Sequence, residues 1–347
     1  METAQKKVIQ LPHVVFGTSP LGNLYVAKSD DEKCSLVKEW IAESPQPAVF
    51  DTAGKYGAGL ALESLGQCLR SLAIKPEEVM ISNKLGWYRI PLTTPEPTFE
   101  PGVWIDLQYD AEQRISYQGI LDCYHQGLEL LDGYHTGLVS VHDPDEYLAA
   151  AHIDEDKVRR FEDVKEAYRA LFELKAAGKV DAVGVGAKDW HIIKQITDVV
   201  NLDWVMIANS MTLHSHPADL WAYMQELSAK GVTIINSAVF NGGFLTGGKH
   251  YNYKPVSADT PEGAALLQWR EKFFAVCEQF NITPAHACVQ FAVQAPGVQT
   301  LAIGTTVPEK IKPNIAMVDQ PVPEAFWREL EQKGLIKADV TTKNLIN

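Results

Sequence analysis

The chain has 347 residues, 46% hydrophobic and 22% charged, which supplies enough apolar material for a sizeable core and is ordinary for a soluble globular enzyme. Its 31 Lys and Arg against 44 Asp and Glu leave a formal charge of −13, which argues against nucleic acid or an anionic membrane surface as partner, since both ask for a basic face. The start METAQKKVIQ lacks the apolar segment of a signal peptide, there is no bilayer-length apolar run, and the five cysteines include no C-x-x-C pair, so a cytoplasmic protein with buried, reduced thiols is expected.

In chain order, short β-branched runs alternate with longer amphipathic stretches. A first strand lies in VVFGTSPLG after Pro12. Asp30 to Ser44 fits a helix, with Ser29 or Asp30 as cap and Leu36, Val37, Trp40 and Ile41 on one face. PAVFDT is a buried strand ending at Asp51, followed by a helix from about Ala61 to Leu72. EVMISNK is a third strand ending at Lys84. Gly86 to about Glu112 breaks the rhythm with Pro91, Pro95, Pro97 and Pro101; its Trp87, Tyr88, Trp104 and Tyr109 favour an ordered lid or binding loop.

The alternation then resumes. Helices are expected over Tyr117–Leu131, Phe161–Ala177 (stopped by Gly178), Trp190–Val200 and Pro217–Lys230. Further helices are expected over Glu262–Phe280, Pro284–Gln294, Pro308–Met317 and near Glu324–Gly334. Between them, GLVSVHDPD, KVDAVGVG, DWVMIANS, GVTIINSAVF and VQTLAIG read as strands, the first ending at His142. Eight strand–helix units imply parallel strands with helical crossovers, and eight can close into a (β/α)₈ TIM barrel, one domain over residues 1–347. An open doubly wound sheet would want G-x-G-x-x-G after the first strand, where this chain has GTSPLG.

Catalytic groups of such barrels come from the C-terminal ends of several strands. Asp51, Lys84 and His142 close strands two, three and four, and Tyr56 follows Asp51 in FDTAGKYG. A phenol titrates near 10 and exchanges its proton poorly at neutral pH. A neighbouring ammonium should lower that value, a buried carboxylate should keep the ammonium charged, and an imidazole can orient a substrate oxygen. Tyr56 could then act as acid toward a carbonyl or base toward a hydroxyl. Each residue alone is an ordinary capping, packing or surface residue; their joint placement carries the reading. His214 and His216 form an H-x-H pair without a third ligand, so no metal is expected. Asp154–Asp156 with Glu162 and Asp163 reads as a solvated helix start.

FDTAGKYG, the SNK of strand three, VHDPDEY, LKAAGKVDAVGVG and AIGTTVPEKIKPNIA together resemble the aldo-keto reductases over about residues 12–320. FGTSPLGNLY and VHDPDEY resemble one branch, the D-threo-aldose 1-dehydrogenases, which includes L-fucose and L-galactose dehydrogenase-like enzymes. The resemblance implies that Asp51, Tyr56, Lys84 and His142 form the catalytic tetrad, with NAD or NADP as cofactor. Its nicotinamide should lie across the barrel mouth near Gly186, Asn209, Ser237 and Phe240. The glycine run from Gly242 should cover the pyrophosphate, and the far end should lie along Gly304, Thr305, Lys310 and Asn314.

Several positions depart from the family pattern. Gly186 and Ala187 replace the Ser-Asn pair that holds the carboxamide, Ala208 the usual glutamine, and Ser237 the usual stacking tyrosine, leaving Phe240 to stack. Asn209 points to the opposite face of a regular strand from Ala208. Gly304 supplies no charge where a 2′-phosphate partner is usual, whereas Lys310 could, so NAD is expected to serve at least as well as NADP. Trp87, Tyr88 and Trp104, with His214 and His216 opposite, are the expected substrate wall. The branch implies oxidation of a free aldose (L-fucose, L-galactose or D-arabinose type) at C1 to a lactone. Reduction of small aldehydes or ketones, a nicotinamide-sensing module without catalysis, and a cofactor-independent aldolase or isomerase are the alternatives.

Overall fold

The computed structural model describes residues 9–337. Eight strands form a closed parallel barrel: β1 Val14–Gly17, β2 Ala48–Ala53, β3 Val79–Leu85, β4 Leu138–His142, β5 Ala182–Ala187, β6 Trp204–Ala208, β7 Thr233–Ser237 and β8 Val298–Ile303. β8 pairs back onto β1, with Val14 opposite Leu301 and Phe16 opposite Ile303. β2, β4, β5 and β7 are buried from end to end, as parallel strands covered by helices tend to be, so they read as apolar runs rather than alternations.

Inside the barrel, Val15, Val49, Leu138, Ala182, Trp204, Met206, Ile235 and Ala302 pack together, with Ile9, Leu11 and Met80 against them. Trp204 is fully buried and reaches across to β5. A Cβ at Gly184 would stand 2.3 Å from its ring, so only glycine admits the indole there. Gly184→Ala is therefore expected to destabilise the fold by about 1–3 kcal/mol through overpacking, measured by urea unfolding. A loss below about 0.5 kcal/mol would show that the barrel core yields more easily than packed cores do.

The helices form the outer layer. The first, α1 (Asp30–Glu43), is capped by Ser29, whose Oγ accepts from the Glu32 amide while the Glu32 carboxylate accepts from the Ser29 amide. It packs beside α2 (Leu60–Ser71), and this contact corrects one expectation: Cys34 and Cys68 are joined in a disulfide, with Cα atoms 5.0 Å apart. Cys123, Cys277 and Cys288 are free and buried, as expected. The pairing arises from two helices lying side by side, which cysteine spacing alone does not encode.

The Pro-rich segment after β3 is ordered. Trp87–Pro91 and Tyr109–Gln113 pair antiparallel, a hairpin that the proline content had hidden. Its long connection is pinned by Asp110, which accepts from the Thr98 amide and hydroxyl, and by packing of Phe99, Trp104, Leu107 and Ala111. Trp104 bridges to Leu24 after β1, so this loop leans over the barrel mouth. The helix expected from Phe161 begins earlier, at Asp154, and runs to Ala176; its three leading acidic residues suit a helix N-terminus. Among the described residues no helix is long and apolar enough to cross a membrane.

Candidate active site

Strand alternation places the first groups. Asp51 stands opposite Ser82 in the β2–β3 register, and Lys84, two residues further along β3, projects to the same side. Both reach Asp51: the Lys84 ammonium donates to Oδ2 at 2.5 Å and the Ser82 hydroxyl to Oδ1 at 3.3 Å. Lys84 Nζ sits 4.6 Å from the centre of the Tyr56 ring. His142, closing β4, meets that ring edge-on at 5.7 Å. Asp51, Tyr56, Lys84 and His142 thus converge at the C-terminal mouth of the barrel and line one cavity of about 410 Å³.

The electrostatics of Tyr56 differ from the expectation. Burial pushes its pKa well above the ordinary phenol value, and Asp51 and Asp143 push it further; Lys55 and Lys188 pull the other way. Lys84, the cation expected to lower it, is ion-paired to Asp51 at contact distance, and this offsets its charge at the phenol. The phenol therefore keeps its proton at neutral pH. Burial also drives His142 well below the usual imidazole range, so the ring is neutral and holds one N–H to donate.

A second charged group, absent from the sequence reading, adjoins the tetrad. Lys55, next to Tyr56 in the chain, has only 2% of its side chain exposed. Its ammonium reaches Asp143 and Glu146 at 2.7 Å each and Glu100 at 2.9 Å. Lys188, after β5, pairs with Glu146 at 2.5 Å. Burial alone would lower the pKa of Lys55, but Asp143, Glu100 and Glu146 more than reverse that, and it stays firmly protonated. Asp143, although burial opposes its ionisation, is held below the ordinary carboxylate range by the ammonium groups of Lys55 and Lys188. Lys55 and Asp143 were legible only as neighbours of Tyr56 and His142. Glu100, Tyr25 and Tyr253, which also face the cavity, come from irregular loops whose sequence gives no sign of it.

From the tetrad the cavity runs past Gly186, Ala187, Ala208, Ser237 and Phe240 to Gly242, Gly304, Thr305, Lys310 and Asn314. These are the residues expected to hold a nicotinamide dinucleotide. The cavity wall is low where the sequence has small residues: a Cβ at Gly186 would stand 3.1 Å from Lys84 Cδ, so the lysine stem occupies the space that a larger residue would take. Gly304 packs on Gly17, where a Cβ would come 2.7 Å from the Gly17 carbonyl oxygen.

Four residues lie elsewhere. Asn209 is buried and outside the groove lining, in a left-handed conformation (φ 60°), with both atoms of its amide unpartnered. It lies just past the end of β6, so regular strand alternation no longer sets its direction. Trp87 stacks under Lys55, 4.8 Å away, and against Phe99, supporting the ion cluster from behind. Tyr88 lies under the Arg114 guanidinium at 3.9 Å. His214 is engaged by the Tyr251 hydroxyl at 2.8 Å and by Trp269 edge-on. Trp87 and Tyr88 fall on opposite faces of the hairpin, and neither lines the cavity. The aromatic wall is instead Trp104, 5.8 Å from Tyr56, with Tyr25 and Tyr253. Among the described residues no group of three His, Cys, Asp or Glu side chains is placed to hold a metal.

A closed parallel (β/α)₈ barrel with these groups at its mouth matches the aldo/keto reductase family model over residues 13–334, and the chain belongs to that family. It is a nicotinamide-dependent oxidoreductase. Among its relatives is the pyridoxal 4-dehydrogenase of Microbacterium luteolum, 27% identical over 92% of this chain and 93% of that protein. Another is the D-threo-aldose 1-dehydrogenase of a Pseudomonas species, 26% identical over 94% and 95%. A glycerol dehydrogenase structure from Gluconobacter oxydans shares the fold, with a TM-score of 0.67 at 16% identity, covering 99% of this chain and 95% of that one.

Proposed function

We propose that the protein oxidises a cyclic hemiacetal, an aldose in its ring form, at C1 to the corresponding lactone. The observation that carries this is the convergence of Tyr56, Lys84, Asp51 and His142 in one cavity walled by both charged and aromatic side chains. The two dehydrogenase relatives support it in a further respect. Pyridoxal and aldoses both close their aldehyde onto an internal hydroxyl, so both present a ring carbon bearing one hydrogen and one hydroxyl.

Bound NAD or NADP supplies the hydride acceptor. Tyr56 accepts the C1 hydroxyl proton as the C1 hydrogen departs with its electron pair. Lys84, above the phenol ring and locked by Asp51, fixes a positive charge beside the phenolate form of Tyr56 that takes the proton. Neutral His142 donates to the substrate oxygen and sets its orientation. Trp104 covers one side of the Tyr56 ring and limits access of water. Because burial raises the phenol pKa, the base form of Tyr56 grows as pH rises, and oxidation is expected to accelerate into the alkaline range.

The same protonated phenol favours a second reading, reduction of small aldehydes, in which Tyr56 is the proton donor. A side-by-side assay decides between them: fucose, galactose and arabinose with NAD and NADP, and simple aldehydes with the reduced cofactors. Activity on aldehydes with none on any aldose would overturn the lactone-forming reading. For the cofactor, NAD is expected to bind at least as well as NADP, since Gly304 offers no charge to a 2′-phosphate. Dissociation constants for the two forms check this, and a strong NADP preference would assign Lys310 as the phosphate partner.

A further inference from the structure

The charged group beside the tetrad is built in two layers. Lys55 has only 2% of its side chain exposed, and its ammonium is taken up by Asp143, Glu146 and Glu100. Lys188 and Glu100 keep 31% and 21% of their side chains exposed, and both line the cavity. Glu100 is fixed twice more, by the Trp104 indole N–H at 2.7 Å and by the ordered hairpin loop that carries it. A row of polar and charged atoms leads from the reacting end outward. His142 Nε2 lies 3.7 Å from Asp143 Oδ2, which lies 3.9 Å from Lys188 Nζ, itself 3.7 Å from Glu100 Oε1. The Lys188 ammonium also faces the Tyr253 ring at 5.2 Å, so an apolar surface stands beside the polar row.

From this arrangement we propose that Glu100 and Lys188 form the subsite that reads the hydroxyl groups of the substrate and selects hydroxyl-rich rings over bare ones. The inference rests on the reading of the protein as a hemiacetal dehydrogenase and names the residues that would make it specific. An ammonium with three donors and a carboxylate with acceptor capacity beyond its fixed partners match adjacent hydroxyls, which both donate and accept. A substrate without hydroxyls strips water from these charges and returns nothing. Sites built to bind a hydroxyl reject the analogue lacking it strongly for that reason. Tyr25, Trp104 and Tyr253 give the apolar faces on which a sugar ring lies.

The test is equilibrium binding to the NADH-loaded protein of two neutral lactones, L-galactono-1,4-lactone, which carries hydroxyls, and γ-butyrolactone, which carries none. Each hydrogen bond to a charged partner contributes roughly 10–100-fold in affinity, so the wild type should prefer the hydroxylated lactone by at least that factor. Glu100→Ala and Lys188→Met should each remove about 10–100-fold from that affinity while changing γ-butyrolactone by no more than about threefold. Lys188→Arg, which keeps the charge, should retain the preference. Equal weakening of both lactones, or no wild-type preference, would overturn the proposal. Aldose oxidation, measured separately, keeps the two readings apart. Selective lactone binding without aldose turnover would remove the assigned reaction and leave the subsite. Aldose turnover with variants that discriminate normally would do the reverse.

Discussion

Tyr56→Phe is expected to lower kcat for aldose oxidation by about 10²–10⁴-fold or more while leaving the cofactor dissociation constant nearly unchanged, because general acid–base groups contribute on that scale. The variant keeps the ring that packs against Trp104 and His142 and beneath the Lys84 ammonium, and loses only the hydroxyl. Steady-state kinetics with parallel fluorescence titration of NADH separate the two quantities. A loss of less than about tenfold would remove Tyr56 from the proton-transfer role. Lys84→Met should be comparably severe. It leaves Asp51 buried with no cation, and Asp51 already raises the phenol pKa, so any residual oxidation should require higher pH than the wild type.

Lys55→Met is expected to cost about 3–5 kcal/mol of stability, the scale for removing one partner from a buried ion pair. Methionine fills the volume but leaves Asp143, Glu146 and Glu100 with Lys188 alone for compensation. The wild-type cluster has a definite pH dependence. The pKa of Asp143 is depressed in the folded state, so its contribution is present above the unfolded carboxylate pKa and fades only as pH falls toward the depressed value. Lys55 has a raised folded pKa, so its contribution is complete below the unfolded lysine pKa and is lost only as pH climbs through the raised one. Urea unfolding of wild type and variant at neutral pH checks the magnitude. A cost below about 1 kcal/mol would mean that Asp143 finds water or another partner, which its 5% exposure argues against.

The barrel was readable because each strand is a short β-branched run and each helix carries its apolar face at helical spacing. The tetrad was readable because the ends of adjacent strands meet at one mouth whatever lies between them in the chain. What escaped follows from the same physics. The hairpin strands Trp87–Pro91 and Tyr109–Gln113 are separated by a proline-rich connection that reads as loop, and neither Trp87 nor Tyr88 lines the cavity. His214 looked available until Tyr251 and Trp269 were placed around it. Lys55 and Lys188 resemble ordinary surface lysines in sequence; only the fold brings them to Asp143, Glu146 and Glu100. The Cys34–Cys68 bond likewise depends on the packing of two helices and carries no motif.

Transfer of the C1 hydrogen itself tests the central claim most directly. An aldose deuterated at C1 is incubated with the protein and NAD, and both products are analysed by mass spectrometry. The account predicts reduced nicotinamide carrying the deuterium, formed in step with an aldonolactone, and loss of both in Tyr56→Phe. Reduced nicotinamide without deuterium, or an aldose left intact while small aldehydes are reduced, would contradict it.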